Sequence, residues 1–249
     1  MFGRELRGKT ALVTGGAKRV GKEICRALAM DGVNVVIHYN TSADQAQQLA
    51  QELRQARVKT WTIQGDLSEP DSATTLIDKA IEVASNLDFL INNASIFPEG
   101  RVEELSYRDL VRVMDVNAWS PLFMTLAFFR RVKEGKVVNV LDTIINGYNF
   151  DRFPYFLSKK ALETLTKALA LKMAPHFTVN AVAPGLILPP TGKDEKYLEG
   201  LKTRNPLRRI GSVAEVAAAV EFLLMSDFIT GQVIFVDGGE HLIPRAEGI

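Results

Sequence analysis

Cysteine is almost missing from this chain. Cys25 stands alone among 249 residues, so no intramolecular disulfide can form. One Cys and three His leave too few ligands for a structural zinc site, and no metal site is expected. Excess charge of one sign is missing too. Lys and Arg number 30 against 29 Asp and Glu, for a net charge of +1, with no basic run and no acidic tail. Phosphate backbones demand a clear cationic excess, so nucleic acid is not an expected partner. No stretch reaches the ~20 apolar residues of a membrane-spanning helix. The amino-terminal run MFGRELRGK has no apolar core for a secretion signal. The cytoplasm is therefore the expected compartment, and a membrane is not an expected partner. Repeats, low-complexity tracts and composition shifts are absent as well, so residues 1–249 read as one domain.

What is present is an alternation of short apolar runs and longer amphipathic segments. Strands are expected at 10–14, 33–38, 60–64, 87–91, 136–141, 177–182 and 232–236. Helices are expected at 20–30, 42–56, 69–84, 107–131, 155–173 and 213–225. The strand runs are β-branched and apolar along their whole length, as in Val33, Val35, Val36 and Ile37, which suits a parallel sheet covered on both faces. Strand–helix alternation with right-handed crossovers gives a doubly wound, seven-stranded parallel sheet of the Rossmann type. Ligands of such sheets sit at the carboxyl ends of the strands. One polar, Pro-containing interruption, at about 188–205, overlooks that edge and reads as a substrate lid with a short helix of its own.

The first strand runs into Thr14-Gly15-Gly16-Ala17-Lys18-Arg19-Val20-Gly21. Gly15 and Gly16 allow a tight turn and a close approach of backbone to ligand. The helix that follows offers free N–H groups and a positive dipole end to a pyrophosphate. The spacing is not G-x-G-x-x-G. It resembles the T-G-x-x-x-G-x-G pattern of the short-chain dehydrogenase/reductase family, with Arg19 where the middle glycine belongs. Arg at that place is similar to the pteridine reductase branch of the family.

The second strand ends in Tyr39-Asn40-Thr41-Ser42. An NAD-selective site would put a carboxylate there for the ribose 2′-hydroxyl. The first acid is Asp44, read as first-turn helix, while Thr41 and Ser42 offer hydroxyls and Lys18 and Arg19 offer charge. NADPH is therefore the expected cofactor, the alternative being solvated charges and an indifferent site. The resemblance further implies that Asp66-Leu67 meets the adenine and that Asn93-Ala94-Ser95 lies along the cofactor. Pro184-Gly185 would face the nicotinamide, with Leu186 next to it on the substrate side. Asn92 and Asn93 could instead form an ordinary Asx turn.

Tyr155 and Lys159 are four residues apart, hence on one face of a helix. Tyr155 is the expected proton donor, its pKa drawn down by the neighbouring ammonium. Thirteen residues before Tyr155 the family carries a Ser; here Asp142 stands there, again resembling pteridine reductases. Asp142 could accept hydrogen bonds from pterin N–H groups, or it could be structural with Thr143 replacing the Ser. Asn117 matches the family Asn that kinks the long helix, or else it faces solvent. Phe97 resembles the aromatic that stacks on a pterin, or else it is core. The resemblance covers essentially the whole chain. It implies an NADPH-dependent reductase of pterins or dihydropteridines, possible substrates including dihydrofolate, in which Arg19, Ser95, Phe97, Asp142, Tyr155 and Leu186 contact substrate. Two rivals stand beside it: a carbonyl reductase such as a 3-oxoacyl-carrier-protein reductase, with Arg130-Arg131 docking an acidic carrier, and a non-catalytic NADP(H) sensor. The family also implies a homotetramer built through the 107–131 and 155–173 helices and the last strand.

Overall fold

A computed structural model describes residues 5–69 and 71–243. Pro70 of the expected 69–84 helix, and residues 1–4 and 244–249 at the ends of the expected domain, lie outside the described residues.

Seven strands form one parallel sheet: β1 (Thr10–Val13), β2 (Asn34–Tyr39), β3 (Thr60–Gln64), β4 (Phe89–Asn92), β5 (Gly135–Val140), β6 (Phe177–Pro184) and β7 (Val233–Val236). Their order is β3-β2-β1-β4-β5-β6-β7, as the doubly wound reading requires. Eight α-helices alternate with them among the described residues: α1 (Arg19–Met30), α2 (Ala43–Arg54), α3 (Ser72–Ala84), α4 (Tyr107–Met114), α5 (Ser120–Arg131), α6 (Phe153–Met173), α7 (Glu195–Glu199) and α8 (Val213–Met225).

Successive strand side chains point to opposite faces, so each strand feeds two cores. Ala11 and Val13 of β1 pack with Ile24 and Leu28 of α1, Leu49 of α2 and Val220 of α8. Leu12, between them, joins Ile77 of α3, Phe128 of α5 and Met173 of α6 on the other face. Both faces are dry, which is why the strands read as unbroken apolar runs. Cys25 is buried in the first core, and burial pushes its thiol pKa up, so it remains an unionised apolar filler. The strand order reverses between β1 and β4, and this opens the crevice at their carboxyl ends.

Four expected helices differ from the structure by two residues or more, the 42–56 helix among them, which ends at Arg54. The 69–84 helix begins only at Ser72, because Asp71 takes a left-handed conformation (φ 62°) that the interior of a right-handed helix does not continue through. The 107–131 helix is broken into α4 and α5 by a π-helical turn, Asp115–Trp119, with Asn117 inside it. Such bulges widen the helix and aim a side chain out of register. The 155–173 helix starts two residues early, with Pro154 in its first turn, where a missing N–H costs nothing.

The contact between α1 and α8 carries a titratable pair. Glu221 on α8 hydrogen-bonds to Asp31, just past α1, and burial together with that negative charge raises its pKa to about 7. The folded state therefore holds a proton that the unfolded chain releases near pH 4.5. Stability contributed by this site is present at low pH and is lost as pH rises through about 7. Glu221 is half exposed, so the cost above pH 7 is discounted to about 1–2 kcal/mol. Glu221→Gln should raise Tm at pH 8 by roughly 2–6 °C, and by much less at pH 4.5. Thermal melts at the two pH values check it; an equal shift at both would rule out the titration.

Candidate active site

The glycine-rich turn is held from three sides. Gly15 sits at φ 60°, and a Cβ on Gly21 would lie 2.4 Å from Gly15 O and 2.5 Å from Asn93 Nδ2. Glycine is thus required at both places by geometry. Thr14 is buried; its hydroxyl donates to Ile91 O at 3.3 Å and accepts the N–H groups of Asn93 and Ala94 at 2.9 Å. The Asn93 amide donates to Thr14 O (2.8 Å) and Gly15 O (3.2 Å). These two side chains staple β1 to β4, so they shape the crevice through the backbone. Asn92 instead turns into the core, where its Nδ2 donates to Asn139 Oδ1 at 2.8 Å.

The third side is His38, which sequence reasoning missed. It lies in β2, 2% exposed. Its Nδ1 accepts the Gly15 N–H at 3.1 Å, so the ring proton is on Nε2, which faces Gly65 O at 3.0 Å. Its own carbonyl takes the Gly16 N–H at 2.9 Å. Burial lowers the imidazole pKa to about 4, which keeps it neutral and able to accept. The available signal was a polar residue within the apolar run of β2, directly before the crevice.

Arg19 takes φ 55°, the conformation a glycine would adopt freely. For Arg that geometry costs about 1–2 kcal/mol. It also directs the side chain outwards, where Nη2 donates to Pro189 O at 2.7 Å. Arg19 therefore ties the turn to the 188–205 segment, which does carry a helix, α7, and a 3-10 turn, Lys202–Arg204. Lys18 is exposed beside it, and Val20 packs half-buried against the core.

At the end of β2, Tyr39 and Ser42 are half-buried while Asn40 and Thr41 are exposed. Asp44 lies in the first turn of α2, as read. Asp66 is drawn to the same corner. Its carboxyl accepts Ser68 N (2.9 Å) and Oγ (2.7 Å), and these bonds, with Asn40 and Arg112 nearby, hold its pKa low. Leu67 is buried, and its carbonyl accepts the Ser120 hydroxyl at 2.7 Å.

The chemistry gathers at the amino end of α6. The Tyr155 hydroxyl donates to Asp142 Oδ2 at 2.8 Å. Asp142 Oδ1 accepts Ile144 N at 2.8 Å, which caps the short turn after β5 and fixes the carboxylate. Thr143 turns away; its hydroxyl donates to the buried Asp237 at 2.7 Å. Of the two candidates for the position facing the phenol, Asp142 occupies it. Lys159 is 2% exposed, donates from Nζ to Val140 O at 2.8 Å, and sits 5.6 Å over the Tyr155 ring. Burial lowers its pKa to about 8.

The Tyr155 pKa moves opposite to expectation. Burial raises it well above the ordinary value, and the charge and hydrogen bond of Asp142 raise it further; Arg152 and Ser95 act downwards. Burial of the phenol is the main reason, and the Asp at 142 adds to it by putting a negative charge where the family pattern has a neutral hydroxyl. A phenol so placed stays protonated at neutral pH and suits a donor rather than a base.

Asn117 is fully buried, not solvent-facing. Its Oδ1 accepts Ile96 N (2.9 Å), and its Nδ2 donates to Ile96 O (2.9 Å) and Ser158 Oγ (3.1 Å). It thus clamps the loop after β4 to the turn of α6 that carries Tyr155 and Lys159. Phe97 is 42% exposed and meets Tyr155 edge-on, centroids 4.5 Å apart, so it is not core. Ser95 is exposed on the same loop. Gly185, after Pro184, leaves no room for a side chain: its Cβ would sit 2.6 Å from Asp237 Cβ. Leu186 lines a cavity of about 440 Å³ between Asn205, Leu207 and Phe235, a space whose lining does not include Tyr155. Arg131 forms a two-pronged pair with Asp78 (2.7 and 2.9 Å), so the Arg130-Arg131 couple is half neutralised within the chain. Among the described residues no helix is long and apolar enough to cross a membrane.

Comparison with known proteins agrees with the fold. Residues 15–241 match the family model described as enoyl-(acyl carrier protein) reductase. A versicolorin reductase of Emericella nidulans is 33% identical, covering 94% of this chain and 96% of that protein. A 3-oxoacyl-[acyl-carrier-protein] reductase of Staphylococcus aureus is 29% identical, covering 94% and 98%. The crystal structure of FolM alternative dihydrofolate reductase 1 from Brucella canis, complexed with NADP, superposes with a TM-score of 0.92 at 33% identity over 98% of both chains. The chain belongs to the short-chain dehydrogenase/reductase family.

Proposed function

We propose that this protein is an NADPH-dependent reductase of pterins or dihydropteridines, dihydrofolate among the candidates. The observation that carries the reading is Asp142, hydrogen-bonded to the Tyr155 hydroxyl at 2.8 Å. A carboxylate facing the proton donor can accept the N–H groups of a pterin ring, whereas a plain ketone offers it nothing to accept.

The cofactor fit rests on this chain's own residues. Gly15, Gly16 and Gly21 leave no room for side chains at their own positions, the end of β2 presents no acid before Asp44, and Lys18, Arg19 and Thr41 are exposed there. These features suit a pyrophosphate and a ribose 2′-phosphate. Asp66 is the group for the adenine, and Asn93, Ala94, Ser95, Pro184 and Gly185 shape the remaining trough. NADPH, when bound, supplies the hydride. Tyr155 delivers the proton from its Oη; Lys159, charged below about pH 8, supports the negative charge that develops there. Asp142 orients the ring, Phe97 and Ser95 wall it, and Asn117 keeps α6 in register. Arg19 links cofactor turn and lid, so the 188–205 segment closes over the substrate.

The NADP complex of the Brucella canis protein supports this reading. The Staphylococcus aureus relative supports the rival, reduction of 3-oxoacyl groups on a carrier protein. The assembly expected is a homotetramer in the cytoplasm, supported by exposed Trp119, Phe123 and Phe129 along the π-turn–α5 segment and the half-exposed edge strand β7. NADPH oxidation measured side by side with 7,8-dihydrobiopterin, 7,8-dihydrofolate and a β-ketoacyl thioester decides between them. The pterin reading expects turnover of a pterin, and at least tenfold loss of it in Asp142→Ser, roughly one charge-assisted hydrogen bond. Turnover of the thioester alone sinks it.

A further inference from the structure

Arg152 stands at the mouth of the crevice, three residues before Tyr155, at the N-cap of α6. A helix amino end carries partial positive charge, so a cation there is disfavoured and needs compensation. It gets two kinds. The guanidinium lies 4.1 Å over the Phe97 ring, and Nη1 donates to Phe97 O at 3.3 Å. Its Nη2 pairs with Glu99 at 3.1 Å. The two partners are unequal in burial: the Arg152 side chain is 23% exposed, the Glu99 side chain 87%. A largely covered cation is thus neutralised by a carboxylate that hangs in solvent. Such an exposed pair is worth little and is readily exchanged for another anion.

The backbone holds this arrangement in place. The loop after β4 and the segment before α6 pair directly: Gly100 N donates to Asp151 O and Phe153 N to Gly100 O, both at 3.0 Å. Arg152 therefore bridges the two walls beside the proton donor, stacked on the aromatic that the substrate ring must pass.

We propose that Arg152 is a specificity-determining residue that binds an anionic group, a carboxylate, on the tail of the substrate, displacing Glu99. The proposal rests on the pterin reading above for the head of that substrate. It assigns the preferred ligand to the class with a reducible bicyclic ring at one end and a carboxylate at the far end of its tail.

The test compares 7,8-dihydrofolate, with an anionic tail, and 7,8-dihydrobiopterin, with a neutral one. Arg152→Gln should raise KM for dihydrofolate about tenfold more than KM for dihydrobiopterin, the worth of one charge-assisted hydrogen bond, whatever the variant does to both substrates in common. Glu99→Gln should act in the opposite direction, lowering KM for dihydrofolate by about twofold, since the competing carboxylate is gone. A merely structural Arg152 would not produce that reversal. Equal losses on both substrates, no loss on either, or a raised dihydrofolate KM in Glu99→Gln would each overturn the proposal. If the wild-type protein reduces neither pterin, the pterin reading falls separately. Arg152 is then scored by the Kd values of 7,8-dihydrofolate and 7,8-dihydrobiopterin from calorimetry, where the same split supports it and no split overturns it.

Discussion

Replacing Tyr155 with Phe should lower kcat about 10³-fold, within the range for loss of a positioned general acid. The change removes one oxygen from a buried ring that Phe97 supports edge-on, so the fold should survive. The NADPH Kd, followed by quenching of protein fluorescence, should stay close to wild type. The proton at stake is located: it lies between Tyr155 Oη and Asp142 Oδ2. Because burial and Asp142 hold the phenol pKa high, Tyr155 itself should not appear on the neutral limb of a pH–rate profile. The limb should come from Lys159, whose burial brings its pKa to about 8. Reduction should thus be level below that pH and fall above it as the ammonium is lost. A Tyr155→Phe enzyme that keeps more than about a tenth of wild-type kcat would mean that the proton comes from another group, with Asp142 next in line.

The layers of this fold were legible because each strand is apolar on both faces, and a strand with two dry faces has few architectures open to it. The pairs that act within one helical turn or one loop were legible as well. Tyr155 and Lys159 are joined by helical spacing, and Gly15 to Gly21 by a single turn. Side chains whose roles depend on distant partners were not. His38 matters through Gly15 and Gly65, 23 and 27 positions away. Arg152 matters through Phe97, 55 positions away. Neither partner is implied by local pattern. The direction of the Tyr155 shift failed for a related reason. The substitution at 142 was visible in the sequence, but the sign of the shift depends first on burial of the phenol and then on the carboxylate lying against it, and only the folded geometry shows either. Helix ends were the remaining weakness. Asp71 and Arg19 both take left-handed backbone conformations, and residue type alone predicts that poorly.

Gly21→Ala should be the most damaging single methyl that can be added near the cofactor turn. The new carbon would lie 2.4 Å from Gly15 O and 2.5 Å from Asn93 Nδ2. The first is backbone. The second is a side chain already committed to Thr14 O and Gly15 O, so neither can step aside without opening the staple between β1 and β4. Overpacking of this kind costs about 1–3 kcal/mol, or roughly 3–10 °C in Tm for a domain of this size. The larger loss should be in binding. The N–H groups at the start of α1 hold a pyrophosphate only while the turn keeps them aligned. An NADPH Kd raised about 100-fold corresponds to about 2.7 kcal/mol, less than those contacts can contribute together. Gly8→Ala is the matched control. It has φ +79° and nothing within 4 Å of its Cβ, and it precedes β1, away from the carboxyl ends of the strands, so it should lose about 1 kcal/mol of stability through backbone strain alone and leave the Kd unchanged. Calorimetry on the two variants separates strain from ligand alignment. If Gly21→Ala bound NADPH as tightly as Gly8→Ala, the turn would not be the pyrophosphate cradle, and the cofactor assignment would have to move elsewhere along the strand edge.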